Sequence, residues 1–281
     1  MEEKESQFIL STGPSGEQAG RAYRVAAAPY LCARPLLEGL RTAESVRLIR
    51  DVPANLLDKL AWDLADAVLL PSIDLQRFNG ELTILPVACL AAERRALSVR
   101  IFSRVRPDRI HVLWTDMDSH TSVALAQVLW QEEFDRRLRI IPFRMKQWEP
   151  AEDAEAVLVI GDKVVTAPPI GFDWQIDPVS MWHEMTGLPF VFAMWAAPAE
   201  GNWAELAQLL LGARRRGQHH LRRIAQRDGP QSDWPADLAI RDLTCNMQFE
   251  FTYAHREGLE EFLDRAAECG LIDEVGPMRY A

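Results

Sequence analysis

Short apolar runs that stop abruptly at small polar clusters are the main pattern along this chain. Four such runs are each followed at once by a helical pattern: YRVAAAPYL ends at Cys32, Ala33 and Arg34, ADAVLLP at Ser72, RIHVLW at Asp116, Ser119, Thr121 and Ser122, and AVLVI at Gly161 and Asp162. In open α/β sheets, ligands bind outside the carboxyl ends of the parallel strands. We therefore expect the four polar clusters to converge on one cleft.

The order of these patterns predicts two α/β units. The first contains strand patterns at 23–31, 46–50 and 67–70, with helices beginning near Arg34 and at Pro53. The alternating stretch SVRIFSRV follows, and it has the period of a strand with one buried face. The second unit begins after Pro107 and contains the strand patterns RIHVLW, LRIIPF and AVLVIGD.

Helical patterns dominate the sequence from Trp203 onward. Two α/β units with a helical return predict a two-lobed α/β fold with a cleft between the lobes. We expect 21–104 together with 197–281 to form the first lobe, and 105–196 to form the second. The C-terminal helices are expected to pack on the first lobe, and residues 1–20 to be a mobile tail.

The net charge of this 281-residue chain is -10 at neutral pH. That sign argues against a nucleic-acid-binding protein and gives no long-range attraction for an anionic ligand. The arginine-rich run at 214–227 has helical periodicity, so we interpret it as a solvated face. Any anion site must be built locally from Arg, His and backbone N–H groups.

The four cysteines are scattered along the chain, at Cys32, Cys89, Cys245 and Cys269, and form no CxxC pair. This spacing is typical of reduced thiols rather than of a disulfide framework or a zinc site. No apolar run reaches the roughly 18 to 20 residues that a membrane span needs. Residues 1–19 lack the basic start and apolar core of a signal peptide. These features predict a cytoplasmic protein without a metal site.

Each polar cluster has a structural and a functional interpretation. Thr121 and Ser122 precede a helix, where hydroxyls cap unpaired N–H groups, but the same groups can hold a carboxylate or phosphate. Ser72 and Asp162 are consistent with ordinary turns. Arg34 follows a buried strand, so its guanidinium must reach solvent or bind an anion.

Several segments together resemble a known enzyme family. They are PYLCARPLLEGL, LLPSIDL, LSVRIFSR, DSHTSVALAQVL, LVIGDKVV and MTGLPFVFAMWA, in that order over about residues 22–275. The chain is similar to the chorismate dehydratases of the futalosine route to menaquinone. The resemblance implies the two-lobed type II periplasmic-binding-protein fold, with SVRIFSRV and PFVFAMW as the crossover strands, used as a cytosolic enzyme without metal or organic cofactor.

The implied reaction is loss of water from chorismate to give 3-[(1-carboxyvinyl)oxy]benzoate, driven by aromatisation of the ring. The implied partner is therefore a small dicarboxylate, with neither nucleic acid nor membrane, and a monomer and a homodimer both remain open. Ser72, Ser98, Thr121 and Ser122 match family positions that would bind the carboxylates, and the resemblance places Asp162 at the same cleft. We add Arg34 and Ser119 to the candidate binding residues.

This sequence departs from the family pattern at the first strand, where PYLCARPL stands for the usual SYLNTRPL. Cys32 replaces an active-site Asn, and a thiol makes weaker hydrogen bonds than an amide. His120 stands where the family usually has Arg, and Glu93, Arg94 and Arg95 occupy a stretch that usually contains Gly. These changes bear on the substrate rather than on the fold.

The candidate catalytic residues are Cys32, His120 and Asp162. His120 and Asp162 are candidate bases because both can accept a proton, although a carboxylate of the substrate could serve instead. Cys32 as a nucleophile has no visible partner, and a buried inert thiol is the other interpretation.

Two further hypotheses stay open beside the dehydratase. One is a paralogue acting on another cyclic carboxylate, including the later step that opens a cyclised futalosine derivative, although its PCPNDTF motif is absent here. The other is a binding protein that closes on its ligand without chemistry. Replacing Cys32 by Asn is the discriminating change.

Overall fold

The computed structural model describes residues 22–144 and 154–281, and the tail expected at 1–20 lies outside them. The strands are β1 (Tyr23–Ala27), β2 (Val46–Arg50), β3 (Ala67–Pro71), β4 (Leu82–Ala92), β5 (Val99–Ser103), β6 (Val112–Asp116), β7 (Arg139–Phe143), β8 (Ala156–Ile160), β9 (Trp174–Ile176), β10 (Phe190–Pro198), β11 (Met247–Gln248) and β12 (Arg279–Tyr280).

The α-helices are α1 (Leu56–Ala61), α2 (Thr121–Phe134), α3 (Lys163–Thr166), α4 (Pro178–Thr186), α5 (Ala204–His219), α6 (Leu221–Asp228), α7 (Ala236–Arg241) and α8 (Tyr253–Glu268). Short 3₁₀ helices lie at Leu31–Leu37, Leu40–Thr42, Pro53–Asn55, Ser72–Gln76, Pro107–Arg109 and Pro230–Ser232, and a π-helical turn at Asp242–Asn246 follows α7. Within the described residues, no helix has both the length and the apolar character needed to cross a bilayer.

The strands form two mixed sheets. The first has the order β11-β4-β10-β3-β1-β2, with β12 paired to β4, and the second has the order β7-β6-β8-β5-β9. Strand β1 runs parallel to β2 and β3, and β6 runs parallel to β7 and β8. The sequence AVLVI of β8 is apolar and buried at every position, as a central strand covered on both faces requires.

The chain passes from the first sheet to the second between β4 and β5 and returns between β9 and β10. Strand β5 therefore belongs to the second sheet and β10 to the first. Both passages between the sheets thus come earlier in the chain than the predicted lobe boundaries, which lie between residues 104 and 105 and between residues 196 and 197. The division into lobes at those residues stays a prediction.

The first predicted strand, 23–31, ends earlier, at Ala27. Pro29 has no N–H to donate to a ladder, and the chain turns there into the 3₁₀ helix Leu31–Leu37. The helical region after Trp203 forms as expected, but the two-residue strand β11 interrupts it and β12 follows its last helix, and both strands pair with β4. Strand β9 and helix α4 carried no sequence prediction.

The C-terminal helices pack on the first sheet. The ring of Phe262 on α8 lies 5.0 Å from that of Phe190 on β10, centroid to centroid. Helix α5 approaches the 3₁₀ segment so closely that a Cβ at Gly217 would lie 1.9 Å from the carbonyl oxygen of Pro35. Only glycine fits this crossing, which fixes the position of the segment carrying Cys32.

Candidate active site

Residues from all four predicted strand ends line one pocket. The first sheet contributes residues after β1 and at the end of β3, and the second contributes residues after β6 and β8. The lining residues are Ala28, Tyr30, Cys32, Pro53, Leu69, Pro71, Leu90, Ser98, Val99, Ser119, His120, Thr121, Ser122, Ile160, Gly161, Phe192, Ala193 and Met247.

The N-terminus of the 14-residue helix α2 faces this pocket. The N-cap residue is His120, whose side chain makes no capping hydrogen bond, and Ser122 N donates to Ser119 Oγ over 3.2 Å. Thr121 and Ser122 are therefore the first residues of the helix rather than its cap. The positive end of the helix dipole and several hydroxyls lie together at an otherwise largely apolar pocket, an arrangement suited to binding a carboxylate.

Three of the lining residues carry titratable side chains: Tyr30, Cys32 and His120. Burial raises the pKa of the Tyr30 hydroxyl, and the neighbouring carboxylate of Asp118 raises it further. Burial likewise raises the pKa of the Cys32 thiol, an effect that hydrogen bonding from Ser98 only partly offsets. Tyr30 and Cys32 are thus neutral at neutral pH, which favours His120 for proton transfer.

His120 is paired with an aspartate that does not itself line the pocket. Its Nδ1 lies 2.8 Å from Oδ2 of Asp74, which belongs to the 3₁₀ turn that follows β3. The Asp74 side chain is fully buried, whereas 36% of the His120 side chain is exposed. Next to this pair, Ile73 N donates to Thr121 Oγ1 over 3.3 Å. Both contacts join the 3₁₀ turn that follows β3 to the start of α2.

Asp162 does not line the pocket. Its Oδ1 accepts hydrogen bonds from Leu31 N at 3.0 Å and from Trp234 Nε1 at 2.9 Å. Burial raises the pKa of this carboxyl group, although these two hydrogen bonds oppose the rise. The side chain thus connects the loop after β8 to the segment after β1 and to the C-terminal region.

A second set of contacts is made by Lys163, the residue that follows Asp162. Lys163 Nζ contacts Asp116 Oδ2 and Asp118 Oδ2, each at 2.6 Å, and the Tyr30 hydroxyl donates to Asp118 Oδ2 at 3.4 Å. Gly161, with a φ of +77°, leaves no room for a side chain, because a Cβ there would lie 2.5 Å from the Tyr30 ring. The close approach of Tyr30 closes this side of the pocket.

Two other candidate binding residues lie outside the pocket lining. Ser72 is buried, and its hydroxyl donates to Val191 O over 2.7 Å, which ties the end of β3 to β10. Arg34 lies on the 3₁₀ helix near Asp162 and Asp228. Burial favours a higher pKa for Asp228, but Arg227 lowers it and the charge of Arg34 adds to that lowering. The buried Nε of Arg34 has no hydrogen-bond partner among the described residues.

Sequence reasoning missed Asp74, Trp234 and Lys163. The motif LLPSIDL contains Asp74, but an acidic residue two positions after a strand-ending Ser is common in turns and gave no signal of its own. Trp234 and Lys163 contact the site through residues distant in sequence.

As for metals, the described residues contain no group of three or more His, Cys, Asp or Glu side chains arranged to hold an ion.

Comparison with known sequences places the chain among biosynthetic proteins. A family model described as menaquinone biosynthesis matches residues 23–268. A chorismate dehydratase from Thermus thermophilus is 27% identical over 266 residues, which cover 87% of this chain and 95% of that protein. The family match at 23–268 therefore includes every residue that lines the pocket.

Solved structures confirm the predicted fold. A structural-genomics protein from Archaeoglobus fulgidus superposes with a TM-score of 0.70 and 13% identity, over 91% of this chain and all of that one. A Candida albicans protein described as having the generic periplasmic-binding-protein fold gives 0.55 at 10% identity, covering 91% of this chain and 92% of its own. The architecture is that of the periplasmic binding proteins.

Proposed function

The chain belongs to the menaquinone biosynthesis family, and from this membership and the chemistry of its pocket we propose that it is a chorismate dehydratase. It removes water from chorismate to give 3-[(1-carboxyvinyl)oxy]benzoate, the first step of the futalosine route to menaquinone. The similarity to a chorismate dehydratase along nearly that protein's whole length supports the assignment.

The observation that carries the proposal is the composition of the pocket. Hydroxyl groups and a helix N-terminus can bind carboxylates, and His120 can accept a proton. The remaining walls are largely apolar and can contact a carbon ring. Chorismate combines these features, since it has two carboxylates on a cyclohexadiene framework.

In this proposal, the start of α2 binds a substrate carboxylate through Ser119, Thr121 and Ser122, and Ser98, which also lines the pocket, contributes to binding. Negative charge develops on the ring side during proton removal, and the fixed dipoles of the helix N-terminus stabilise it without reorganisation. Ser72 acts indirectly by holding β10 at the pocket wall. Arg34 acts by placing positive charge near Asp162.

The three candidate catalytic residues have different tasks. His120 accepts the ring proton, Cys32 contacts the substrate as a neutral thiol, and Asp162 holds the cleft shut through Leu31 and Trp234. A closed cleft excludes water, which strengthens each electrostatic contact inside. We place this activity in the cytoplasm, consistent with four free cysteines, and in a protein that acts as a monomer or homodimer.

The test is to incubate the purified protein with chorismate, without added metal or nucleotide, and to separate the products by chromatography with mass detection. A product lighter by one water supports the proposal. Chorismate that raises the melting temperature but stays unchanged overturns it in favour of a binding protein or an enzyme for a close analogue.

Two variants test the carboxylate site. Ser122→Ala should raise KM for chorismate about tenfold, because a hydrogen bond to a charged group contributes roughly 1.5 kcal/mol. Ser180→Ala is the matched control, since its hydroxyl donates to Arg94 O outside the pocket. An unchanged KM in Ser122→Ala would remove this residue from the site.

A further inference from the structure

The segment that carries Ser98 lies between two strands, and buried side chains hold its backbone in place. Residues 93–98 connect β4 to β5 and belong to neither strand. Buried backbone N–H groups outside a sheet need another acceptor. Here two aspartates supply it: Asp177 Oδ2 accepts from Ala96 N over 3.2 Å, and Asp242 Oδ1 accepts from Leu97 N over 3.3 Å. Two consecutive N–H groups are thus held by two different carboxyl groups.

The two aspartates tie this segment to different sheets. Asp177 follows β9 of the second sheet, and its Oδ2 also pairs with Arg100 Nη1 on β5 at 3.1 Å. It therefore belongs to the sheet that the segment enters. Asp242 begins the π-helical turn ahead of β11, and β11 pairs with β4 of the first sheet. Asp242 therefore links the segment back to the sheet that it leaves.

Ser98 follows Leu97 directly and lines the pocket. It is 5% exposed, and its hydroxyl hydrogen-bonds with the Cys32 thiol. Its carbonyl oxygen accepts from Gly161 N over 2.8 Å. The backbone is therefore held on both sides of the Ser98 side chain, at Leu97 N by Asp242 and at Ser98 O by Gly161. This arrangement determines where the Ser98 hydroxyl lies.

The Asp242 carboxyl group occupies an unfavourable environment. Its side chain is fully buried, and Asn246 Nδ2 donates to Oδ1 over 3.1 Å, but Oδ2 has no hydrogen-bond partner among the described residues. A buried polar oxygen without a partner lowers stability. The π-helical turn is also an uncommon element that is frequent at functional sites, and Met247, which follows it, lines the pocket. Both features favour a role at the site over a role in stability alone.

We propose that Asp242 is a positioning residue for substrate binding: by accepting from Leu97 N, it holds the segment that presents the Ser98 hydroxyl to the substrate. This role rests on the proposed function, in which Ser98 contributes to binding chorismate. Asp242 does not line the pocket, so it acts through Ser98 and not by contact with the substrate.

The first test separates binding from turnover. Asp242→Leu removes the acceptor, and we expect KM for chorismate to rise about tenfold, because a displaced Ser98 loses its hydrogen bond to a charged group. The value of kcat should stay within about threefold, since Ser98 binds the substrate in its ground state and transition state alike. Asp242→Asn keeps an oxygen that can accept from Leu97 N, so its KM should stay within about twofold of the wild-type value. A wild-type KM in folded Asp242→Leu, or an equal rise in Asp242→Asn, overturns the proposal.

Glu155→Leu is the matched control. Glu155 Oε2 also accepts from consecutive backbone N–H groups, His111 N at 2.8 Å and Val112 N at 2.9 Å, but it does so at the start of β6 and does not line the pocket. This variant should lose stability while KM stays within about twofold of the wild-type value. A rise in KM equal to that of Asp242→Leu would show a general effect of destabilisation and would overturn the proposal.

The second test asks whether Asp242 acts through Ser98. If it does, the double variant of Asp242→Leu with Ser98→Ala should have the KM of Ser98→Ala alone, because the effects of linked residues are not additive. Increases in KM that multiply in the double variant overturn the proposal.

The third test depends neither on activity nor on the folding of a variant. In wild-type protein, amide hydrogen exchange measured by NMR should show a protection factor for Leu97 at least about tenfold above that of Arg95, an exposed residue of the same segment, because the bond to Asp242 must open before exchange. Equal protection at the two amides overturns the proposal. Chorismate left intact by the wild-type protein would overturn the proposed function, whereas the protection of Leu97 would still decide whether Asp242 holds this segment.

Discussion

Trp234 Nε1 donates a hydrogen bond to Asp162 Oδ1 over 2.9 Å, which joins the C-terminal helical region to the loop after the second sheet's strand β8. Both partners are largely buried, Trp234 at 3% exposure. Asp162 also accepts from Leu31 N after β1. A single carboxylate thus connects three parts of the chain around the pocket.

Replacing Trp234 by Phe keeps most of the buried ring and removes the N–H donor. We expect the free energy of unfolding to fall by about 1–2 kcal/mol, since the hydrogen bond goes to a charged group. KM for chorismate should rise several-fold, because the closed arrangement becomes less populated. Urea unfolding and steady-state kinetics measure the two effects.

The matched control is Trp203→Phe. Trp203 Nε1 donates to Pro198 O over 2.8 Å, a bond between β10 and the start of α5 that does not cross between the sheets. This variant should lose stability without a change in KM. An equal rise in KM in both variants would show that Trp234 has no special role in closure.

Lys163 is the cation that compensates two aspartates, one of them buried. Asp116 is 1% exposed, and burial raises the pKa of its carboxyl group, an effect that Lys163 opposes. Lys163→Met would leave Asp116 and Asp118 without their cation. We expect about 3 kcal/mol of destabilisation in urea unfolding, the usual cost of breaking a buried pair.

Arg106→Gln provides the comparison. Arg106 Nε pairs with Asp108 Oδ1 at 3.1 Å, but both side chains are exposed, at 70% and 39%. Solvent screens such a pair, so the loss should stay below about 1 kcal/mol. Similar losses in the two variants would mean that the Lys163 contacts are not desolvated as described.

The fold could be predicted largely from local patterns. Strand β2 at Val46–Arg50 matches its predicted bounds, and β3 differs by one residue, because runs of apolar and β-branched residues decide these segments locally. Strand β1 ends early because Pro29 acts against the apolar pattern around it. The convergence of four strand ends on one pocket followed from the parallel pairing alone.

The contacts that organise the candidate site could not be predicted in this way. Asp74 and His120 are 46 residues apart, and Asp162 and Trp234 are 72 apart. Their pairing depends on how two sheets and the C-terminal helices pack, which no local periodicity encodes. The same holds for Asp162, whose position in a turn after Gly161 gave no indication that its oxygens are occupied by Leu31 and Trp234.

Cysteine reactivity tests the interpretation of Cys32 as an inert thiol. Burial raises the pKa values of Cys32 and Cys89, whereas Cys245 is exposed. Iodoacetamide at neutral pH should therefore modify Cys245 much faster than Cys32 or Cys89, because the thiolate is the reacting form. Peptide mass spectrometry over time measures each site.

The activity of Cys32→Ala completes that test. If the thiol only fills space and makes a weak contact, kcat should fall by less than about tenfold, well short of the loss that removal of a nucleophile causes. Rapid alkylation of Cys32 together with complete loss of activity in Cys32→Ala would restore the nucleophile interpretation.

Asp242 should make stability depend on pH in an unusual direction. Its side chain is fully buried, and burial raises its pKa to about 6, although hydrogen bonds from Asn246 and Leu97 oppose this. The folded state thus holds a proton that the unfolded chain releases near pH 4. The contribution of Asp242 to the free energy of unfolding is fully present below about pH 4 and is lost as the pH rises through about 6. The free energy of unfolding falls by roughly 3 kcal/mol over this range.

Asp242→Asn cannot titrate, so the difference in unfolding free energy between wild type and this variant isolates the effect. We expect the difference, measured by urea unfolding, to fall between about pH 4 and 6 and then to level off. Asp228→Asn gives the opposite sign: burial favours a higher pKa for Asp228, but its bonds to Arg227 outweigh burial and lower it. Wild-type stability relative to that variant should therefore drop as the pH falls below about 4. Parallel curves for wild type and Asp242→Asn would mean that Asp242 is ionised in the folded protein at the same pH as in the unfolded chain.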